Sequence, residues 1–291
     1  MHVLAEEWPL LSFTLLTQLA VGTYLFLVII RTLTKNGDKK ITINATKKGM
    51  FFIGPVMVVA LLLSAFHLGD PLGAYRSLGN LGSSWLSREI VFAGLFFGLW
   101  FVSYYLDRKG AWNQILGWVN SIVGLAAIYS MASIYATSIK PAWTDVNTYI
   151  AFFGTTILFG AVASILLIAL SKEEKPKQLS GILKGIGLIG LAAIIIQLIY
   201  LPVYVAGLSV NGGLAGAESA SLITGTYAVS TMIRWILSIA GLVILGIALY
   251  RKMESKTQYT YYYTTALLLV VVGEFLGRFI FYATGVPIIV G

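Results

Sequence analysis

The sequence predicts an all-α, polytopic membrane protein in which eight transmembrane helices form one bundle. Of its 291 residues, 58% are hydrophobic and only 11% are charged, whereas soluble domains carry roughly 25% charged residues. Apolar stretches of about 20 residues, the length that crosses the hydrocarbon core, recur along the chain. Backbone groups in lipid must bond within their own segment, so these stretches are predicted as helices. A β-barrel would alternate in polarity, and runs such as 188–196 do not.

The eight apolar stretches follow one another through short polar connections. The predicted spans are residues 9–31, 47–68, 87–106, 111–136, 147–171, 179–204, 225–250 and 259–284. No soluble segment separates them, so residues 1–291 are predicted as a single transmembrane domain. Glu6 and Glu7 make the start of the chain acidic, where a cleavable signal peptide would be basic. No cleavable signal is therefore expected.

Lysine and arginine residues concentrate in every second connection. The rich connections follow spans one, three, five and seven, and carry Arg31, Lys35, Lys39, Lys40, Lys47, Lys48, Arg108, Lys109, Lys172, Lys175, Lys177, Arg251, Lys252 and Lys256. The other connections carry only Arg76, Arg88 and Lys140. The positive-inside rule therefore predicts that both termini lie outside, N-out and C-out. Because the net charge of +8 is dispersed over these connections, nucleic-acid binding is not expected.

The polar stretch 65–90, on the predicted outer side, carries a histidine, two carboxylates and two arginines. His67, one of two histidines in the sequence, ends span two and is followed by Gly-Asp-Pro with Asp70. A single imidazole at this position suggests proton handling at the membrane surface, or else an interfacial anchor for a helix end. Glu89 opens span three, where it is either a functional carboxylate or an ordinary residue of a helix start.

Gln18, Arg234, Glu274 and Arg278 are the ionisable or amide side chains singled out in or near the other spans. A charge at the bilayer centre costs at least about 2.5 kcal/mol, so such residues usually face the bundle interior and mark functional sites. Glu274 precedes Arg278 by four residues, which places both on one helix face in the favourable order for an ion pair. The sequence leaves open whether this pair is structural or part of a site.

Several motifs resemble those of one family. They are His67-Leu-Gly-Asp-Pro-Leu-Gly-Ala-Tyr-Arg-Ser-Leu78, Leu86-Ser-Arg-Glu-Ile90, Glu7-Trp-Pro-Leu10 and Gly273-Glu-Phe-Leu-Gly-Arg278 with Phe281-Tyr282. Together with the eight spans and the outside termini, they resemble the membrane anchor subunit of the dimethyl sulfoxide reductase family. The resemblance covers essentially the whole sequence. One departure is Asp70, where family members carry a neutral residue, and this leaves the quinol preference and the terminal substrate open.

The resemblance implies a respiratory complex in the cytoplasmic (inner) membrane of a bacterium or archaeon, with this protein surrounded by membrane lipid. Its partners would be an iron–sulfur electron-transfer subunit and a molybdopterin catalytic subunit on the outer side. The anchor would bind and oxidise menaquinol and pass electrons to the nearest cluster. The expected catalytic residues are His67 and Glu89, and the expected menaquinol-binding residues are His67, Asp70, Arg76, Glu89, Arg234, Glu274 and Arg278. Which quinone is preferred stays open.

Two other functions remain to be weighed. The sequence has no cysteine, so no iron–sulfur cluster and no other metal site is expected in it. Bis-histidine haem needs paired histidines inside spans, and only His67 is near one, so haem is not expected either. A secondary transporter, or another polytopic membrane protein with a structural His67, would be favoured by inverted repeats and broken helices. Neither feature is evident, and such a protein would act without soluble partners.

Overall fold

Among the residues that the structure describes, eight helices are long and apolar enough to cross a membrane. The computed structural model describes residues 2–35, 39–67, 79–171, 177–251 and 255–288. Within them the candidate spans are Glu7–Leu33, Lys39–Phe66, Trp85–Arg108, Gln114–Ala136, Asn147–Ala169, Gln178–Asn211, Ala228–Tyr250 and Thr257–Ala283. Each matches one predicted span, so the predicted fold class is confirmed. The predicted orientation of the bundle in the membrane stays a prediction.

The helices are numbered in order along the sequence. They are α1 (His2–Leu33), α2 (Lys39–His67), α3 (Trp85–Arg108), α4 (Gln114–Ala136), α5 (Pro141–Thr144), α6 (Asn147–Ala169), α7 (Lys177–Asn211), α8 (Gly213–Ser221), α9 (Ala228–Tyr250) and α10 (Lys256–Ala283), with a π-helical turn Leu222–Thr226 between α8 and α9. Side-chain oxygens of Ser84, Asn113 and Ser255 accept backbone N–H groups at the starts of α3, α4 and α10. Such caps satisfy donors that a helix start leaves free.

The segment after span six differs from its prediction. The sequence suggested a connection over 205–224, but α7 continues through Pro202 to Asn211, and α8 and the π-helical turn follow. Proline is tolerated in membrane helices because neighbouring groups take up the freed backbone carbonyl. The break comes at Gly213, whose φ of +61° is a left-handed conformation that favours glycine.

The helices α1 and α6 lie at the centre of the bundle. α1 packs against α2, α4, α6 and α10, and α6 also packs against α7 and α10. At their crossing, a Cβ atom on Gly22 would overlap the backbone of Thr156, and one on Gly160 would overlap the backbone of Gly22. Small residues allow such close approach in membranes. Polar side chains on these two helices therefore reach into the protein and away from lipid.

The bundle has two ends of different character. We call the end at which α1 begins and α10 ends the terminal end; α2, α4 and α7 end there, and α3, α6 and α9 begin there. The opposite, basic end carries most of the lysine and arginine residues. Contacts between distant helices fit this arrangement, since Tyr135 near the end of α4 meets Tyr282 near the end of α10. Predicted site residues can therefore be located by their distance from the terminal end.

Candidate functional site

Glu274 is the centre of a polar cluster inside the bundle. It lies nine residues before the end of α10 at Ala283, about 14 Å along the helix, and is only 2% exposed. Its carboxylate accepts hydrogen bonds from the hydroxyls of Thr155 at 2.5 Å and Ser238 at 3.2 Å. The Nη2 atom of Arg234 lies 3.6 Å from the same carboxylate. Three helices thus meet at one buried acid.

The ion-pair partner of Glu274 corrects the prediction. The sequence paired Glu274 with Arg278, but the guanidinium group within salt-bridge distance is that of Arg234 on α9. The reason is the close packing of α9 on α10 at Gly277, where a Cβ atom would collide with the Arg234 side chain. Because glycine leaves that space open, Arg234 reaches the carboxylate across the helix interface.

Arg278 instead faces α1 and α6. Its Nη2 atom donates to the Oε1 atom of Gln18 at 3.0 Å, and its guanidinium group lies 3.7 Å from the centroid of the Phe152 ring. Gln18 in turn donates through Nε2 to the backbone carbonyl of Phe152 at 2.9 Å. A cation over an aromatic face is attracted by the ring quadrupole. Arg278 is therefore held in the bundle interior, where it is 4% exposed.

Arg234 links the cluster to α7. Its Nη2 atom donates to the Oε1 atom of Gln197 at 3.0 Å, and its guanidinium group lies 4.1 Å from the centroid of the Trp235 ring. Gln197 donates to the backbone carbonyl of Ala193 at 3.3 Å. Each amide or carboxylate in this group thus has a defined partner. The cluster is therefore an ordered network of side chains from α1, α6, α7, α9 and α10.

Some donors of the two arginines remain unused. Among the described residues, no acceptor lies within hydrogen-bond reach of Nε and Nη1 of Arg278 or of Nε of Arg234. The buried hydroxyl of Thr231 is likewise unpaired within the described part of the protein. Leaving a buried donor unsatisfied costs about 1–3 kcal/mol, more for a charged group. Unused charged donors in an ordered network point to an oxygen acceptor supplied by a ligand or by water.

Arg234, Glu274 and Arg278 are among the residues that line a cleft between α6, α7, α9 and α10. The residues around it are Asn147, Ala151, Thr155, Leu201, Tyr204, Ile223, Thr231, Arg234, Glu274, Gly277, Arg278, Ile280, Phe281 and Thr284. Apolar walls with a few convergent polar groups are typical of small-molecule sites. The cleft thus combines apolar walls with two guanidinium groups and one carboxylate among its lining residues.

Glu89 lies apart from this cluster. It is on α3, one turn from the terminal end, and is 4% exposed. No hydrogen-bond or ion-pair partner for its carboxylate is found in the described ranges. Glu89 is therefore a buried carboxyl group near the terminal end of the bundle.

The remaining predicted residues lie outside the described structure. The backbone of α2 ends at His67 at the terminal end, but the side chain of His67 is not described, and neither are Asp70 and Arg76. The structure thus brings Arg234, Glu274 and Arg278 together and places Glu89 separately, buried on α3. The predicted place of His67 in the site stays a prediction.

Sequence reasoning missed several members of the cluster. Gln197 could have been found, because its amide side chain lies within an apolar span, as that of Gln18 does, and such a position is unusual. Thr155 and Ser238 had no such signal, since hydroxyl groups commonly bond the carbonyl one turn earlier on their own helix. Tyr135 had no signal in the sequence, and Tyr282 was named only within the Phe281-Tyr282 motif, without a role.

Comparison with known proteins agrees with the family suggested by the motifs. The family described as "DMSO reductase anchor subunit (DmsC)" matches residues 1–284. The protein belongs to this family. The anchor subunit is 30% identical over 284 residues to the YnfH subunit of an anaerobic dimethyl sulfoxide reductase of Escherichia coli (strain K12), and the match covers 95% of this sequence and 94% of that protein.

Two further relatives carry the same kind of name. A subunit of the anaerobic dimethyl sulfoxide reductase of Haemophilus influenzae is 28% identical over 280 residues, covering 95% of the anchor subunit and 94% of that protein. Another subunit of an anaerobic dimethyl sulfoxide reductase, from Escherichia coli (strain K12), is 28% identical over 171 residues, or 57% of the anchor subunit and 59% of that protein. The prediction of a dimethyl sulfoxide reductase anchor is thus confirmed at the level of the family.

Proposed function

We propose that this anchor subunit binds menaquinol in the terminal half of the bundle, oxidises it, and passes the electrons to an iron–sulfur subunit. A molybdopterin subunit then uses the electrons to reduce the terminal substrate. The relatives are named as parts of dimethyl sulfoxide reductases, and an anchor subunit implies partners to anchor. By the positive-inside rule the terminal end faces outward, so the soluble partners dock on the outer side of the cytoplasmic membrane.

The cleft beside Glu274 is the observation that carries the proposal. A quinol ring presents two oxygen atoms on a flat apolar body. Arg234 and Arg278 line the cleft, and a guanidinium group suits a ring oxygen as acceptor, while Glu274 can accept from a ring hydroxyl. Phe281 and Leu201 supply apolar surface for the ring. We therefore assign Arg234, Glu274 and Arg278 to ring binding.

Oxidation of a quinol releases two protons together with two electrons, so the protons need acceptors. Glu89 offers a buried carboxyl group near the terminal end, and His67 ends α2 at that end. Histidine, with an unperturbed pKa of about 6.5, exchanges protons readily near neutral pH. We assign His67 and Glu89 to proton acceptance, and we place Asp70 and Arg76 in the same polar region from the family resemblance alone.

The electrons need a short path to the partner. The sequence has no cysteine and no bis-histidine pattern for haem. We therefore propose that the electrons pass directly from the bound ring to a cluster in the iron–sulfur subunit. Glu274 is about 14 Å along α10 from the terminal end. A ring in the cleft extends from there toward that end, where the partner is proposed to dock.

The test compares quinol-linked and dye-linked activity in membranes that contain the assembled complex. His67→Arg removes a proton acceptor but keeps a positive, polar side chain, because arginine is not deprotonated at working pH. We expect it to abolish quinol-dependent turnover while dye-dependent reduction of the substrate continues. Glu89→Gln should show a milder form of the same loss. Arg278→Lys should weaken quinol binding and raise the quinol concentration needed for half-maximal rate.

Glu218→Gln is the matched control for the carboxylate variant, since Glu218 is an exposed acid at the terminal end. It should leave both activities unchanged. If His67→Arg, Glu89→Gln and Arg278→Lys all oxidise quinol at the parent rate, this subunit is an anchor without a quinol site. The assignment of menaquinol oxidation would then be wrong.

A further inference from the structure

A groove at the basic end of the bundle combines cations with an apolar wall. It lies between α2, α3 and α6, and the lining residues that matter most are Lys47, Lys48, Phe51, Pro55, Tyr104 and Arg108. We propose that this groove binds an anionic glycerophospholipid, with the phosphate among the cations and an acyl chain along the apolar wall. The groove shares no lining residue with the cleft beside Glu274, and the proposal does not depend on quinol binding.

The cations of the groove lie at one level of the bundle. The Nζ atom of Lys48 donates to the backbone carbonyl of Leu170 at 2.8 Å, and Leu170 is the residue directly after α6. Arg108 is the last residue of α3. Because two membrane-spanning helices end at this level, it corresponds to the boundary between membrane and water at the basic end. The phosphate groups of lipids lie at the same boundary.

The lining of the groove carries a positive charge that its acidic residue does not balance. Asp107 also lines the groove, but its two carboxylate oxygens accept from Arg31 at 2.9 and 3.1 Å. Lys47 and Arg108 are exposed, and neither forms an ion pair with another described residue. The ammonium group of Lys48 has three N–H donors, of which the bond above uses one. Basic pockets between membrane helices are typical sites for anionic lipid headgroups.

Deeper in the membrane the groove is apolar. Phe51 and Pro55 follow Lys47 at intervals of four residues, which places the three on one face of α2 over about 12 Å of its length. On α3, Tyr104 precedes Arg108 by four residues, and its ring lies 6.1 Å from that of Phe51, measured between centroids. Each helix thus places a cation at the boundary and an aromatic ring one turn deeper. A phospholipid has the same order, with a charged headgroup on an apolar chain.

Packing within the protein fixes the wall of the groove. α2 packs mainly against α1, and α3 packs mainly against α4, so α2 and α3 contact each other less closely. Trp100 joins them, because its Nε1 atom donates to the backbone carbonyl of Met50 at 2.8 Å and its ring stacks on that of Tyr104 with centroids 5.5 Å apart. Gly54 admits the Trp100 ring, since a Cβ atom there would overlap it. The wall is therefore ordered by contacts of the protein itself.

A second groove at the basic end shows what the first one adds. It lies between α7 and α9, and Lys184 is the basic residue among the described residues that line it. The ammonium group of Lys184 lies 4.7 Å from the centroid of the Tyr250 ring, whose face attracts a cation. This groove offers an acyl chain an apolar surface with a single cation. Selection for an anionic headgroup is therefore expected from the groove of α2, α3 and α6.

The experiment titrates the purified full-length subunit in mild detergent with phosphatidylglycerol or with phosphatidylcholine of the same acyl chains. Bound lipid is counted by native mass spectrometry. A basic residue near the membrane surface strengthens binding of an anionic lipid by about five-fold, so we expect a preference for phosphatidylglycerol on the order of 10-fold. Combining Lys47→Gln with Lys48→Gln should lower the phosphatidylglycerol affinity by at least about five-fold and leave phosphatidylcholine binding unchanged.

The matched control combines Lys109→Gln with Arg251→Gln. It removes the same number of charges from exposed positions of the basic end that do not line the groove. The control should keep the preference of the parent protein for phosphatidylglycerol. Chemical modification then locates the lipid: phosphatidylglycerol should protect Lys47 from an acylating reagent, as read by peptide mass spectrometry, while Lys109 stays reactive.

Three results would overturn the lipid site. Equal affinity of the parent protein for the two lipids would show that the groove does not select a headgroup. An equal loss of affinity in the control would assign the preference to the overall charge of the basic end. Glycerol phosphate carries the headgroup charge without acyl chains and should not protect Lys47. Protection by it at the same concentration would make the groove a site for free phosphate compounds.

Discussion

Arg31 and Asp107 form a two-point ion pair inside the basic end of the bundle. Nη1 and Nη2 of Arg31 lie 2.9 and 3.1 Å from the two carboxylate oxygens of Asp107, and Nε donates to the hydroxyl of Thr46 at 2.8 Å. The guanidinium group also lies 4.4 Å from the centroid of the Trp112 ring. Arg31, which the sequence pattern assigned to the connection after span one, thus lies in the last turn of α1 and is paired. It joins the ends of α1 and α3 and the start of α2.

We expect Asp107→Asn to be among the most destabilising single changes at this end. Removing one partner of a buried pair strands the other charge, which costs about 3–5 kcal/mol. The measurement is thermal or denaturant unfolding of the purified subunit in detergent, together with the amount of assembled complex. Arg108→Gln is the control, since Arg108 is the exposed neighbour. If Asp107→Asn is as stable as the parent protein, the charge of Arg31 is stabilised without Asp107.

The sequence predicts the fold well, because the physics of the bilayer acts on each helix separately. Apolar length alone locates the eight spans, and the largest errors fall at span ends, where α2 begins earlier and α7 ends later than predicted. Those ends depend on contacts between helices. The Arg31–Asp107 pair shows the same limit, since its members are 76 positions apart and no local pattern joins them.

The predicted orientation can be tested because the sequence has no native cysteine. Lys39→Cys and Glu218→Cys place single thiols at exposed positions of the basic and terminal ends. With an impermeant reagent applied to intact cells, we expect labelling of the residue 218 thiol only. In inside-out vesicles, the residue 39 thiol should react. Labelling of both from the same side would invalidate the outside location of both termini.

The pairing of Glu274 can be measured by double-mutant cycles. In the first cycle, Glu274→Gln and Arg234→Gln are combined; in the second, Glu274→Gln and Arg278→Gln are combined. Contacting charged residues show interaction energies of about 0.5–3 kcal/mol, so we expect the larger value for Arg234, 3.6 Å from the carboxylate. The readout is stability of the purified subunit. A larger interaction energy with Arg278 than with Arg234 would contradict this expectation and support the Glu274–Arg278 pair that the sequence suggested.

The candidate site shows why two charged residues four positions apart on a helix need not form an ion pair. Spacing of four residues places Glu274 and Arg278 on one helix face, but each side chain turns to a different neighbour, α9 for the acid and α1 for the base. Gln18 was noticed as unusual within its span, yet its role as acceptor for Arg278 depends on a residue 260 positions away. Ionisable residues within spans predict which helix faces point into the bundle interior. Only the fold determines which of these residues contact each other.

Gly277 offers the sharpest test of the cleft, because it can be changed without touching a charged residue. A Cβ atom at this position would lie 2.7 and 2.8 Å from Cζ and Cδ of Arg234, closer than those atoms can approach. Since Arg234 is flexible, Gly277→Ala should leave the helix packing intact and push the guanidinium group away from Glu274. A misplacement of about 1 Å near a reacting group can cost 10²-fold in rate.

We therefore expect Gly277→Ala to assemble normally, to keep dye-linked activity, and to lose on the order of 10-fold or more in quinol-linked turnover. Gly246→Ala on α9 is the matched control, since a Cβ atom there meets nothing within 4 Å and alanine favours the helix. It should be neutral in every assay. If Gly277→Ala oxidises quinol as fast as the control does, the position of Arg234 is irrelevant to turnover. Ring binding would then have to be assigned to the polar residues near Glu89 and His67.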